Sequence, residues 1–459
     1  MDISFNNIQL GNKSDAFIYL LCKNIKNSFK LPEIINNRFK GEKNEVMTVM
    51  IDNKLYIISG LGNNNICDNE AIKKAVTDGL SYAKSLNCHS VSIHSNTNSV
   101  ESLKIIVETA VLVNYSFDKY MDKKNTLEKI NIIADKKYKK EISESLIIAN
   151  NVNEVRDLIN EPANILNPKS FVNIIKSRSR KTKNKVEIFD ERKLKSKKMN
   201  TILAVGQGSK KKSYLAIIKY LPLKNKKPII LVGKGVTFDS GGISIKHGDF
   251  GDMKTDMSGA AVAYGIVNAV SELKLKKNVI AIMPLVENMP SSNAIRPGDI
   301  VKSYSGKTIE IINTDAEGRL ILADALAYAS ELKPAHIVDF ATLTGAASYV
   351  TDVDAALVMG NDTKLNKMIV SAGNKIGEKV WELPMWESYV KKTKSNIADV
   401  KNSGYKSKAG TIMAGAFLSN FVKCKSWAHM DIAGVSFSDE EGSSGYGVRL
   451  RIELIKKLK

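Results

Sequence analysis

Residues 227–242 read KPIILVGKGVTFDSGG: an unbroken apolar run, Ile229 to Val232, closes on Gly-Lys-Gly, and Asp239 follows before Ser-Gly-Gly. A strand with no polar residue on either face fits a sheet that is covered on both sides, so the stretch points to a layered α/β protein. Similar runs recur toward the C-terminus. NKVEIFD, TILAVGQG, YLAIIKYL, NVIAIMPLV, TIEIIN, AHIVDFATLTG and KSWAHMDIAG each read as a strand, often followed by Gly, Asp, Thr or a helix. In such sheets ligands gather beyond the carboxyl ends of the strands.

Upstream, strand-like runs (VMTVMIDNKLYIIS, CHSVSIHS, KINIIAD) alternate with helical ones (69–86 and 98–117), and the acids and histidines there form no cluster. The expected organisation is α/β throughout, in two domains. Residues 1–139 form an N-terminal α/β scaffold, 140–160 a linker helix ending at NEPANILNP, and 161–459 a second α/β domain with a mixed central sheet flanked by helices on both faces. VGQGSKKKS (205–213) lacks the spacing of a phosphate loop and reads as a strand end with a basic turn.

Composition narrows the function. The chain has 459 residues, 43% hydrophobic and 25% charged, as expected of a globular protein with a large core. No segment reaches the roughly 18 apolar residues of a membrane span, and the N-terminus lacks a secretory pattern, so a cytoplasmic, membrane-free protein is expected. Four cysteines, Cys22, Cys67, Cys88 and Cys424, show no C-x-x-C pairing and fit reduced structural thiols. The formal charge of +20 is the abnormal number, carried largely by short lysine runs. It admits nucleic acid as a secondary partner, although charge runs are more often solvated faces.

The chemistry concentrates in two stretches. In LVGKGVTFDSGGISIKHGDFGDMKTDMSGAA (231–261), Lys234, Asp239, Lys246 and Asp256 follow a buried-looking strand; in NTDAEGRL (313–320), Asp315, Glu317 and Arg319 precede a helical segment. Taken singly each has an ordinary reading: Thr314-x-x-Glu317 is a capping box, Asp239 a turn former, Asp256 a helix-start charge, and the lysines solvated cations. Taken together, four acids on one rim of one sheet raise each other's pKa and require cations. A pair of divalent metals roughly 3.5–4 Å apart meets that need and suits hydrolysis. Oxygen ligands alone do not name the metal; an amine ligand favours transition metals.

These residues resemble the M17 leucyl aminopeptidases, the cytosol aminopeptidase family. NTDAEGRL, VGKGVTFDSGGISIK, MKTDMSGAA, VRDLINEPAN, DFATLTGA and WAHMDIAG match that family's blocks in order, over about residues 145 to 459. The resemblance implies a macro-like first domain devoted to assembly and a zinc-peptidase-like second one. It implies that Lys234, Asp239, Asp256 and Glu317 bind a tighter metal, and Asp239, Asp315 and Glu317 a more exchangeable one. The ions would be Zn or Mn, with Mg or Co also fitting. Lys246 would polarise the scissile carbonyl, and Arg319 would hold a bicarbonate that accepts a proton. Met253, Thr342, Leu343, Gly345 and Ala433 would line the place of the substrate's backbone and first side chain. The expected activity is hydrolysis of N-terminal peptide bonds, releasing Leu-like and other residues, by a homohexamer. One departure stands out: between Lys246 and Asp256 the chain has HGDFGDM, one residue fewer than is usual in the family. The competing reading keeps the fold but assigns the protein to binding nucleic acid or another macromolecule.

Overall fold

In the computed structural model of the chain, which describes residues 2–6, 14–23, 35, 38–63, 69–96, 99–122 and 127–458, the apolar runs become two main sheets, one in each of two units. The units are residues 1–153 and 154–459.

The first unit holds β1 (Asp2–Asn6), β2 (Ala16–Lys23), β3 (Val46–Ile51), β4 (Lys54–Asn63), β5 (Ser90–Ser95) and β6 (Lys129–Ile133) in the order β1-β6-β5-β2-β4-β3. Only β3 and β4 pair antiparallel, through a two-residue turn whose Asp52 and Asn53 both take positive φ, 49° and 57°. That conformation matches the strand twist and suits Asp and Asn. Strand β2 is buried at all but its last residue, as an interior strand covered on both faces must be. Helices Asn69–Ser85 and Val100–Val113 pack against the sheet through Ile72, Val76 and Leu80, and through Ile106 and Val107. Helix Lys139–Asn160 runs across the division and stops before Glu161-Pro162, where proline disfavours helix for the residue ahead of it.

The second unit carries β7 (Lys185–Phe189), β8 (Tyr214–Tyr220), β9 (Ile229–Gly233), β10 (Gly235–Asp239), β11 (Val279–Asn288), β12 (Ile300–Lys302), β13 (Thr308–Glu310), β14 (His336–Ala341), β15 (Ala356–Gly360), β16 (Val380–Glu382), β17 (Val400–Lys401) and β18 (Trp427–Asp431). Nine of them form one mixed sheet, β16-β15-β18-β14-β9-β11-β8-β7 with β10 on β11. Its centre, β11-β9-β14-β18, is parallel. The opening run is β9, buried at every position.

Alternation along β9 explains why it is apolar throughout. Ile230 and Val232 pack against helix Gly318–Glu331, whereas Gly233, of opposite parity, meets the start of helix Ser258–Glu272. A Cβ on Gly259 would lie 2.1 Å from the Phe340 carbonyl oxygen, so this helix start approaches the strand ends backbone to backbone. Both helices are buried around nearly their whole circumference, which accounts for their Ala, Leu and Ile content.

Two strand assignments are corrected. Residues of TILAVGQG form helix Asn200–Gly206, with Ile202, Ala204 and Val205 in the core and the Asp324 carboxylate accepting from the amides of Thr201 and Ile202. A distant acid therefore satisfies the helix start that the local sequence leaves open. TIEIIN contributes only β13, which joins a separate sheet in the order β12-β13-β17. The basic turn read in VGQGSKKKS accordingly follows a helix rather than a strand.

Candidate metal and active site

The sequence-predicted charged residues other than Lys246, which sits in the loop after β10, lie at strand ends or helix starts, because the parallel strands stop along one rim. Lys234 follows β9, Asp239 ends β10, Asp256 follows the short turn Gly251–Thr255, and Asp315 and Glu317 immediately precede helix Gly318–Glu331. One carboxylate oxygen each from Asp239, Asp315 and Glu317 lies within 4.8 Å of the others. Asp256 joins them through Lys234, whose Nζ donates to Asp256 Oδ1 at 2.6 Å and stands 2.9 Å from Glu317 Oε1. Lys246 Nζ lies 2.7 Å from Asp239 Oδ2 and 2.5 Å from Asp315 Oδ1.

This is a buried cluster with a surplus of negative charge. Lys234, Asp239, Asp256 and Glu317 are each at most 5% exposed, and four carboxylates share two ammonium groups. Burial opposes the charged form of Lys234, yet Asp256, Glu317 and Asp239 outweigh it and hold its pKa above the ordinary lysine value. Lys246 is also raised: burial opposes it, and Asp239 and Asp315 prevail. Burial, with the repulsion of neighbouring carboxylates, pushes Asp256, Asp315 and Glu317 above the usual carboxylate range. Asp256 Oδ2 is buried and makes no hydrogen bond among the described residues. An unpartnered oxygen among crowded acids is a place where a divalent cation fits.

Of the remaining predicted residues, Thr342 bonds directly to this cluster. Thr342, one residue beyond β14, donates its hydroxyl to Asp256 Oδ1 at 2.8 Å and accepts Lys234 Nζ at its carbonyl, 2.9 Å. The amides of Leu343 and Ala433 both donate to Asp431 Oδ1 at 3.2 Å, so one buried carboxylate joins the two loops expected to line the substrate. Gly345 is exposed and Met253 half-buried in the turn ahead of Asp256. Arg319 is largely buried; its Nη1 donates to the Asn402 carbonyl at 2.7 Å, while Nε makes no hydrogen bond among the described residues.

The capping-box reading of NTDAEGRL is not what forms. The helix starts at Gly318, and its N-cap residue, Glu317, makes no side-chain cap. Thr314 instead donates its hydroxyl to Gly241 O at 2.6 Å and accepts from Ser244 N at 2.8 Å, tying its loop to the Asp239 loop. Three residues important to this geometry escaped sequence reasoning: Asn288, Asn402 and Asp431. For Asn288 and Asp431 the one signal is polarity at the end of an apolar strand, as in PLVEN and AHMDIAG; Asn402, after the two-residue β17, carries no such signal.

A mixed α/β sheet whose parallel strands deliver lysines and carboxylates to one rim is an arrangement suited to divalent cations and to the hydrolysis they support. The profile of the cytosol aminopeptidase family's catalytic domain matches residues 153–452, and that of its N-terminal domain residues 34–124. A probable cytosol aminopeptidase of Geotalea uraniireducens is 38% identical over 92% of the chain and 90% of its own length. One from Clostridium perfringens is 39% identical with the same coverage. Among solved structures, the bottromycin maturation enzyme BotP in complex with Mn superposes with a TM-score of 0.86 at 29% identity, covering 97% of this chain and 99% of that one. The chain belongs to the cytosol aminopeptidase family, M17, and is a metal-dependent aminopeptidase. No helix among the described residues is long and apolar enough to cross a membrane.

Proposed function

We propose that this aminopeptidase releases Leu-like and other N-terminal amino acids from peptides at a two-ion site. The ions, Zn or Mn with Mg or Co also fitting, would be held by Asp239, Asp256, Asp315, Glu317 and Lys234, with Asp239 and Glu317 shared; Lys234, an ammonium among the carboxylates alone, would coordinate as the neutral amine, its proton displaced by the dication's charge. The observation that carries the reading is the Asp239–Asp315–Glu317 cluster, with Asp239 and Glu317 buried and Asp315 half-buried, and Asp256 with its unpartnered oxygen alongside. When bound, such ions supply Lewis-acid polarisation of the scissile carbonyl and a water of lowered pKa. Lys246, held as an ammonium between Asp239 and Asp315, would donate to the developing oxyanion. Arg319, with Nε unpartnered, is the cation suited to hold a bicarbonate serving as proton acceptor. Met253, Thr342, Leu343, Gly345 and Ala433 would receive the substrate's first residue. The domain roles follow: residues 1–139 assemble, 140–160 link and 161–459 catalyse, in a cytoplasmic homohexamer.

The test is metal analysis with hydrolysis of a leucyl chromogenic amide, with and without chelator. Bound Mn or Zn and chelator-sensitive turnover are expected, and Glu317→Ala should abolish turnover; near-normal activity in that variant would place the site elsewhere. The charge of +20 supports a secondary affinity for nucleic acid. Phosphate contacts release counterions, so binding that ignored salt would overturn this part.

A further inference from the structure

Asn288 ends β11 and is 1% exposed, although no step described above uses it. Its Nδ2 donates to Asp239 Oδ1 at 2.8 Å and to the Thr314 carbonyl at 3.1 Å. Both partners are pure acceptors, so the amide can face them only with its NH2 group, and both hydrogens are used. One bond ends on the GVTFDSGG half of the site and the other on the NTDAEGR half. The same residue's carbonyl accepts from the amide and the hydroxyl of Ser240, at 3.0 and 2.8 Å, which fixes the chain just beyond Asp239. Asp239 Oδ1 also accepts the Gly241 amide at 3.0 Å. With Oδ1 held by two donors, Oδ2 is left facing Lys246 and the acid cluster.

We infer that Asn288 is a positioning residue for the metal site: it selects which oxygen Asp239 presents and sets the separation between Asp239 and the Asp315–Glu317 loop. The inference rests on the two-ion reading. Groups that orient ligands in this way commonly change metal affinity or activity by roughly 10–100-fold when removed.

Titration calorimetry of the full-length, metal-stripped protein with MnCl2 tests it, alongside thermal melting of the same metal-free samples. Asn288→Leu keeps the volume but removes both donors; its Mn affinity should fall by roughly 10–100-fold. Asn288→Ala leaves room for a water to replace part of the amide, so an intermediate loss is expected, and this variant carries the test if the leucine form does not fold. Asn278→Ala is the control. Asn278 is a comparably buried asparagine that bonds Leu223 and Lys226 near the opposite end of β11, so its loss should lower the melting temperature without changing Mn affinity. Wild-type affinity in a folded Asn288 variant, or an equal loss in Asn278→Ala, overturns the inference. Failure of the wild-type protein to bind Mn or Zn would instead overturn the two-ion reading.

Discussion

Gly318 lacks a side chain because Lys234 occupies the space. A Cβ at 318 would stand 2.4 Å from Lys234 Cε and 2.7 Å from Nζ. Lys234 cannot swing aside without leaving Asp256, Glu317 and the Thr342 carbonyl, all within 2.9 Å of Nζ. Gly318→Ala should therefore fold, since alanine is the better helix former, yet lose roughly 10–100-fold in kcat/KM or metal affinity. Wild-type kinetics in this variant would refute that placement of Lys234. The glycine and the lysine are visible in the sequence, but their contact is not, because they lie on separate elements that only packing brings together.

At the scale of elements, the loop before helix Gly318–Glu331 is held from two sides. Asn402 accepts the amides of Ile312 and Asn313 and donates to the Asn313 carbonyl at 2.7 Å, while Thr314 and Asn288 hold the opposite side. Asn402→Leu would strand buried donors and acceptors, so we expect a loss of about 1–3 kcal/mol in stability, read from denaturant melts, together with reduced turnover. Farther along the same helix, Asp324 accepts the amides of Thr201, Ile202 and Tyr304, yet complete burial pushes its pKa up to about 6. For a pKa raised on folding, the associated stability is full below the unfolded value, near 4, and is lost as pH rises through about 6. The stability difference between wild type and Asp324→Asn should accordingly fall by about 3 kcal/mol from pH 4 to pH 7. A difference that stays flat would mean that Asp324 titrates normally.

For the molecule as a whole, crowding four carboxylates on one rim makes the metal-free form the less stable one. An ion that binds only the native state adds about 2.7 kcal/mol at one hundred times its dissociation constant, so stripping with EDTA should lower Tm and added Mn or Zn restore it. An unchanged Tm would contradict metal binding at this cluster. The proposed hexamer predicts a mass near six chains by light scattering, and a monomer at working concentration would overturn it. The long helix before Pro162 was legible from sequence, whereas VMTVMIDNKLYIIS, read as one strand-like run, divides at Asp52 and Asn53 into the antiparallel β3 and β4. Helix Asn200–Gly206 was not legible, since its open end is satisfied by an acid more than a hundred residues away.

What the sequence determined by itself was the layered α/β class and the residue types of the site. Continuous apolar runs demand a sheet covered on both faces, and clustered acids with lysines at strand ends point to cations. Tertiary structure alone decided that Thr314 ties two loops instead of capping a helix, and that Gly318 makes room for Lys234. It also decided that Asn288 and Asn402 hold NTDAEGRL from opposite sides. Those bonds join residues 26 to 90 positions apart, and no local periodicity records a partner at such distance.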